Sequence, residues 1–150
     1  MLKLTIDSSV FLSSLMMGDT FHKDSKAFFT SLLSTDMVVF EPMIVPLEVA
    51  NILSKIGDKH IAEVLDSFSQ FHILSIDEEM FQEALFIFGK LRLKTADAII
   101  VWCAYVSEST LITWDRALLR EAGKLVPAFT PRDYVKKQTP RADRAKIVYS

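Results

Sequence analysis

Hydrophobic residues in this chain occur in short runs that follow two alternating patterns. Short apolar runs bounded by turn-forming residues predict five buried strands, at residues 2–6, 37–40, 71–76, 111–113 and 126–129. Between them, apolar residues recur at helical spacing, as in residues 25–33, 61–68 and 77–91. Strands that alternate with helices are typical of parallel sheets. The pattern therefore predicts an α/β fold, a three-layer α/β/α sandwich with a mostly parallel central sheet.

The most apolar segment covers residues 98–106, an almost uninterrupted hydrophobic run. Such a run predicts a helix that is buried on all sides. Thr95 is expected to be its N-cap, which puts Asp97 in the first turn as the conspicuous charge. Asp115 follows the short predicted strand at residues 111–113. Because a helix start and a strand end can meet at this place, we expect the two acids to lie close together.

Proline and glycine divide the rest of the chain. Pro42 marks the start of a helix that ends at Gly57. Glu48 belongs to the early turns of this helix, where it is either a functional acid or a solvent-facing residue between two buried stripes. A later helix is expected to end near Gly123, and residues 131–135 are expected to form a turn.

Composition restricts the class of protein. The 150 residues, 50% hydrophobic and with only 4 Gly, are typical of one compact globular domain. No apolar run approaches the ~20 residues of a membrane helix, so we expect no membrane association and a cytoplasmic location. Cys103 lies inside the buried run and is expected to be a core side chain in a reducing compartment.

Charge is unevenly distributed along the chain, whose net charge is −2. Among residues 136–150, Asp143 is the one acidic residue, and the basic residues are Lys136, Lys137, Arg141, Arg144 and Lys146. We therefore expect a globular domain over residues 1–135 and a basic C-terminal tail over residues 136–150. The tail is either a solvated end, which is favoured, or a dedicated binding arm. The rest of the chain has a net negative charge, which is not typical of a general nucleic-acid binder. Any contact with nucleic acid must therefore be local.

Four acids are candidates for one shared site: Asp7, Glu48, Asp97 and Asp115. Two of them follow predicted strands, and open parallel sheets bind ligands at the carboxyl ends of their strands. Clustered carboxylates repel one another, so such a cluster stays partly protonated or binds a hard divalent cation. Oxygen ligands without His or Cys favour Mg²⁺ or Mn²⁺, which can activate water for attack on a phosphodiester. We therefore hypothesise metal-dependent hydrolysis of a nucleic-acid backbone.

The segments IDSSVFL, PMIVPLEVANIL, LKTADAIIVWCA and LITWDRALL resemble, in order and spacing, the acidic motifs of the PIN-domain nucleases. Within that family the chain is most similar to the small VapC-type toxins of bacteria and archaea. The resemblance implies that Asp7, Glu48, Asp97 and Asp115 hold Mg²⁺ or Mn²⁺ as the catalytic ligands. It further implies that Ser9 and Thr113 support them by hydrogen bonds.

The resemblance also implies an activity and partners. The expected function is a metal-dependent endoribonuclease, the toxin of a type II toxin-antitoxin pair, which acts on RNA, often as a homodimer and often silenced by a small antitoxin. The alternative is a non-cleaving RNA-binding or regulatory module of the same fold, although such a module gains nothing from four repelling carboxylates. A receiver-like phosphate acceptor ranks last.

Residues beside the acids decide how RNA would approach. Arg92, Lys94 and Arg116 are either phosphate contacts or ordinary solvated ends. Trp114 is either a core residue, which is favoured, or a stacking platform for an unpaired base. Three histidines lack metal-ligand spacing and are expected to be surface or structural residues: His22, His60 and His72.

Overall fold

The computed structural model describes residues 1–139. Within this range five parallel strands form one sheet in the order β3-β2-β1-β4-β5. The strands are β1 (Leu2–Ile6), β2 (Met37–Pro42), β3 (His72–Leu74), β4 (Thr110–Ile112) and β5 (Ala128–Phe129). The predicted α/β/α fold with a parallel sheet is therefore confirmed.

Eight helices accompany the strands in the described part of the chain. They are α1 (Ser8–Leu15), α2 (His22–Leu32), α3 (Ile44–Lys55), α4 (Ile61–Ser67), α5 (Glu78–Lys90), α6 (Thr95–Val106), α7 (Arg116–Ala122) and α8 (Pro131–Gln138), with a short 3₁₀ helix at Phe68–Gln70. None of the helices in residues 1–139 is long and apolar enough to cross a membrane. Lys136 and Lys137 of the predicted basic tail belong to α8, and residues 140–150 lie outside the described range.

The order of the strands places β1 at the centre of the sheet. It pairs with β2 on one side, through Leu4 and Val39, and with β4 on the other, through Leu4 and Thr110. In chain order, β2 and β3 are added on one side of β1, and β4 and β5 are then added on the other side. Between β1 and β4 the direction of winding changes, and open sheets of this kind form ligand crevices at the carboxyl ends of the two strands.

Helix α6 is the central helix of the core and packs against β1, β2 and β4. Residues 98–104 of this helix are all buried, which confirms the interpretation of the apolar run for that part. The prediction was wrong for its last two residues, because Tyr105 and Val106 are 45% and 37% exposed. Cys103 is 0% exposed and its thiol has a pKa raised to about 12, chiefly by burial. Its Sγ lies 3.8 Å from Oγ1 of Thr5. The expectation that this cysteine is a core side chain is confirmed.

Two local predictions were wrong. Thr95 is the first residue of α6, and the N-cap is Lys94, whose carbonyl accepts the Ala98 N–H at 2.9 Å. Residues 131–135 lie in a helix instead of a turn. The reason is that Pro131 occupies the first helical turn, where a missing N–H costs nothing, and Thr130 caps the helix by accepting from Asp133 N.

The helix ends at Gly57 and Gly123 were placed correctly. Gly57 has φ +68° just beyond the end of α3, in the left-handed region that glycine adopts without strain. The N–H of Asp58 then reaches back to the Leu53 carbonyl at 3.0 Å, which closes the helix end. Gly123 caps α7.

Candidate active site

Asp7 stands where β1 ends and α1 begins. Its backbone N–H donates to the Ile112 carbonyl of β4 at 2.9 Å, so it lies at the carboxyl edge of the sheet, between the two strands where the winding changes. Its side chain is 5% exposed. An aspartate in this position is the most enclosed of the candidate acids and the one with the least freedom to move.

Two hydroxyl groups hold one oxygen of this carboxylate. Ser9 Oγ donates to Asp7 Oδ2 at 2.6 Å, and Thr113 Oγ1 donates to the same atom at 2.8 Å. Each hydroxyl also accepts a backbone N–H, Ser9 from Trp114 at 3.3 Å and Thr113 from Asp115 at 3.0 Å. Asp7 is thus linked by side-chain hydrogen bonds to the segment that follows β4.

Asp115 is the N-cap of α7. Its Oδ1 accepts the Leu118 N–H at 2.8 Å, which satisfies one of the orphan donors at the start of the helix. The side chain is exposed. One carboxylate oxygen thus has a structural role, while the residue as a whole stays accessible beside Asp7.

Glu48 is half-buried in the second turn of α3. Burial raises the pKa of Glu48, a hydrogen bond from Ser8 lowers it, and the charge of Asp7 raises it again. The Ser8 hydroxyl also lies 3.4 Å from Asp7 Oδ1, which places it between the two carboxylates. The prediction that Glu48 lies early in its helix is confirmed, and its carboxylate is within electrostatic range of Asp7.

Asp97 is half-buried in the first turn of α6. Its pKa is raised first by burial and then by the negative charges of three other acids, while Lys94 lowers it. Those acids are Asp7, Asp115 and Glu48. The fold therefore brings the other three sequence-derived acids, from three different parts of the chain, within electrostatic range of Asp97.

The donor set suits a hard divalent cation in chemistry, because every candidate ligand is a carboxylate oxygen and no His or Cys interrupts them. Within residues 1–139, no group of three or more His, Cys, Asp or Glu side chains is arranged so that it could hold a metal ion as it stands. The acids thus repel one another across a shared space without closing on a common point. Glu48, Asp97 and Asp115 are half-buried or exposed, which leaves their side chains room to turn.

The basic residues differ in their relation to the acids. Lys94 is exposed and caps α6, and its charge lowers the pKa of Asp97, so it lies beside the site. Arg116 is exposed and directly follows Asp115. Arg92 is also exposed, and its backbone N–H donates to Glu121 Oε2 at 3.1 Å.

Trp114 has a structural environment. Its ring stacks on Phe21 with centroids 4.1 Å apart and 10° between the planes, and its Nε1 donates to Ser25 Oγ at 2.7 Å. The ring is half-buried against the core, which favours the core interpretation. The histidines pack elsewhere, His22 against the Ser13 carbonyl, His60 beside Glu63 and His72 on the Phe40 ring.

Glu41 is a residue that sequence reasoning missed. It lies on β2, is 0% exposed, and accepts the Ile6 N–H through Oε1 at 2.9 Å, while Oε2 has no hydrogen-bond partner within residues 1–139. Burial raises its pKa well above the usual range, and the charge of Asp7 raises it further. The second strand was predicted to end at Phe40 and the next helix to begin at Pro42, which left Glu41 unassigned between them. The period-two pattern from Val39 would have placed it in the core.

The comparisons with known proteins agree with the fold. The sequence matches the family model described as PIN domain over residues 4–125, and no curated protein matches it. A toxin-antitoxin complex from Klebsiella pneumoniae is 20% identical, with TM-score 0.66, and the alignment covers 85% of this chain and 97% of that one.

Two further solved structures share the fold. VapBC2 from Rickettsia felis, bound to a DNA fragment from its promoter, is 14% identical with TM-score 0.64, covering 86% of this chain and 98% of that chain. Mycobacterium tuberculosis VapC20, a toxin that cleaves the sarcin-ricin loop, is 14% identical with TM-score 0.63, covering 77% of this chain and 92% of that one.

Proposed function

The chain belongs to the PIN domain family, and from that premise we propose that it is a Mg²⁺- or Mn²⁺-dependent endoribonuclease that hydrolyses RNA phosphodiester bonds. The observation that carries the proposal is that the fold brings three other carboxylates close to Asp97 at the carboxyl edge of the sheet, where burial first and then the charges of Asp7, Asp115 and Glu48 raise the pKa of Asp97. A fold maintains such repulsion at a cost in stability, and a bound cation would relieve it.

The proposed roles follow from the accessibility of each acid. Asp7, held by Ser9 and Thr113, would be the fixed ligand. Glu48, Asp97 and Asp115 would turn toward the ion. When bound, such a cation supplies an acidified water molecule and offsets the charge that builds on the phosphodiester. The two hydroxyls keep Asp7 Oδ2 in one orientation, which limits the rearrangement that binding requires.

Lys94, Arg92 and Arg116 are proposed phosphate contacts. They are exposed, and Lys94 lies within electrostatic range of Asp97. An acidic pocket repels a polyanion, so a cationic residue beside it lowers the barrier to approach. These residues would hold the RNA backbone while the acids act, without reading its sequence.

We also propose that the chain is the toxin of a type II toxin-antitoxin pair, acts in the cytoplasm, and binds a small antitoxin and a second copy of itself. The support is the toxin-antitoxin nature of the Klebsiella neighbour and an exposed apolar surface on the described chain. Helix α5 exposes several large hydrophobic side chains, Phe81, Leu85, Phe86 and Phe88. Exposed apolar patches of this kind are typical of protein interfaces.

The test is cleavage of a mixed pool of labelled RNAs by the purified protein, in Mg²⁺ or Mn²⁺ against EDTA, with Asp97→Asn beside the wild type. The matched control is Asp66→Asn, which makes the same chemical change at an exposed position of α4. We expect cleavage that needs the metal, is lost in Asp97→Asn and persists in Asp66→Asn. RNA binding without cleavage in any metal would contradict the proposal and favour the non-cleaving RNA-binding module.

A further inference from the structure

The central strand and its neighbour β2 separate just before the proposed site. Their paired residues end with Leu4 and Val39, so the Ile6 N–H, two residues further on, has no ladder partner in β2. Glu41 Oε1 accepts this N–H at 2.9 Å instead. The next N–H, that of Asp7, points to the other side and donates to Ile112 O at 2.9 Å. The peptide that leads into Asp7 is thus held from both sides.

Glu41 is an unusual choice for this position. A fully buried carboxyl group loses its hydration, and its Oε2 finds no compensating partner among the described residues. Natural proteins leave few buried polar atoms unpaired, and those that persist call for an explanation. The location supplies one, because Asp7 lies one residue beyond the N–H that Glu41 accepts and within electrostatic range of its carboxyl group.

We propose that Glu41 is a positioning residue for Asp7: its carboxyl group replaces the missing ladder acceptor of Ile6 and fixes the Asp7 carboxylate for cation binding. Glu41 itself is fully buried and would not be a ligand. The part of this inference that concerns the cation rests on the proposed function. The part that concerns the Ile6 and Asp7 backbone does not.

Three substitutions separate the role of the acceptor from general packing. Glu41→Gln keeps a carbonyl oxygen in the same place, and burial already favours the neutral acid by raising the pKa of Glu41. Glu41→Leu removes the acceptor, and Glu41→Asp withdraws it by one methylene in case the Leu variant fails to fold. The control is Thr5→Val, which removes a buried hydroxyl from the same strand, hydrogen-bonded to Ser109 at 2.6 Å and not to any acid.

The experiment uses the full chain and three measurements: the dissociation constant for Mn²⁺ by titration, the hydrogen exchange of the Ile6 amide by NMR, and the melting temperature. We expect Glu41→Gln to bind Mn²⁺ about as tightly as the wild type. Glu41→Leu and Glu41→Asp should bind it about 10- to 100-fold more weakly and exchange the Ile6 amide about tenfold faster. Thr5→Val should lose melting temperature without losing Mn²⁺ affinity.

Other results would overturn the inference. Wild-type Mn²⁺ affinity and Ile6 protection in Glu41→Asp would do so, and so would a loss of affinity in Thr5→Val that matches its loss of stability. Glu41→Gln behaving like Glu41→Leu would show that the acceptor is not the cause. If the wild type itself binds no Mn²⁺, the proposed function fails, and the Ile6 amide alone then decides whether Glu41 positions this backbone.

Discussion

The hydroxyl of Thr113 donates to Asp7 Oδ2 at 2.8 Å, across a separation of 106 residues in the chain. Thr113 is 0% exposed and also accepts the Asp115 N–H at 3.0 Å. One buried side chain therefore connects two of the four acids, one through its carboxylate and the other through its backbone. The geometry of the pair therefore depends on this threonine.

Thr113→Val keeps the volume of the side chain and removes both hydrogen bonds. We expect a loss of about 1–3 kcal/mol in the free energy of unfolding, because buried polar partners lose their hydrogen bonds, and a loss of about 10- to 100-fold in metal-dependent RNA cleavage. Urea denaturation and a cleavage assay measure the two effects. Thr5→Val, at another buried threonine, should be destabilised while still cleaving. Unimpaired cleavage by Thr113→Val would contradict this expectation.

Asp97→Asn should separate stability from activity. Burial and the negative charges of three other acids both disfavour the charged form of Asp97. Because the group is only half-buried and solvent screens its charge, removal of the charge is expected to raise the melting temperature in EDTA by at most about 2–4 °C, the effect of ~1 kcal/mol on a domain of this size. Added Mn²⁺ should stabilise the wild type and leave the variant unchanged. Thermal unfolding with and without Mn²⁺ measures both responses. A variant that melts below the wild type in EDTA would show that the charge of Asp97 does not destabilise the metal-free fold.

Glu41 should make the stability of the metal-free protein depend on pH. Its pKa in the folded protein lies well above 4.5, so the folded state binds more protons than the unfolded chain between the two pKa values. The stability that protonation contributes is fully present below the unfolded pKa and is lost as the pH rises through the folded one.

Glu41→Gln cannot ionise, so its free energy of unfolding should fall less steeply with pH than that of the wild type. The difference in slope reaches at most about 1.4 kcal/mol per pH unit. Urea denaturation in EDTA between about pH 5 and 8 tests this. Glu48 and Asp97 also have raised pKa values, but they are present in both proteins and cancel in the comparison. Parallel curves would contradict the expectation.

Two glycines should respond in opposite ways to alanine. Gly57 has φ +68°, which a Cβ disfavours, so Gly57→Ala should cost about 1 kcal/mol. Gly89 lies in α5, and a Cβ added there meets no atom within 4 Å, so Gly89→Ala should add about 0.5–1 kcal/mol. Urea denaturation compares them, and the same sign of change in both variants would contradict the structure of the α3 terminus.

Lys94→Ala should weaken RNA binding without altering its sequence preference. We expect the slope of log K against log salt concentration to fall by about 0.7–1, which is the loss of one phosphate contact. Binding is measured in EDTA at several salt concentrations, so that cleavage does not interfere. The control is Lys55→Ala, at an exposed lysine in the last turn of the helix that carries Glu48. Equal slopes for the two variants would remove Lys94 from the set of phosphate contacts.

The parts of the fold that sequence predicted are those that local patterns determine. The apolar run at 98–106 lies in helix α6, which is buried from residue 98 to residue 104, and the alternation of strands and helices corresponds to a parallel sheet. The four acids could be singled out because each stands near the end of an otherwise apolar element. Element boundaries were less certain: the predicted strand at 111–113 runs from Thr110 to Ile112.

The remaining features depend on contacts between distant segments, which no local pattern contains. Glu41 was not singled out from the sequence because only the separation of β1 from β2 gives it a donor, the Ile6 N–H 35 residues away. The contact of Phe21 could not be predicted from the sequence, because its ring stacks on Trp114, which lies far away in the chain. The distances between the acids likewise result from the packing of helices and strands. The same packing explains why the acids do not form a closed metal cage within residues 1–139.

The central position of β1 also has a consequence for synthesis of the protein. This strand is synthesised before both of its neighbours, and one of them, β4, is made more than a hundred residues later, as the register of Ile6 with Ile112 requires. Contacts between such distant residues form slowly because a long loop must close first. The Asp7 carboxylate therefore cannot accept its hydrogen bond from Thr113 until Thr113 has been synthesised. A shorter nascent chain contains Asp7 without the hydroxyl that orients its carboxylate.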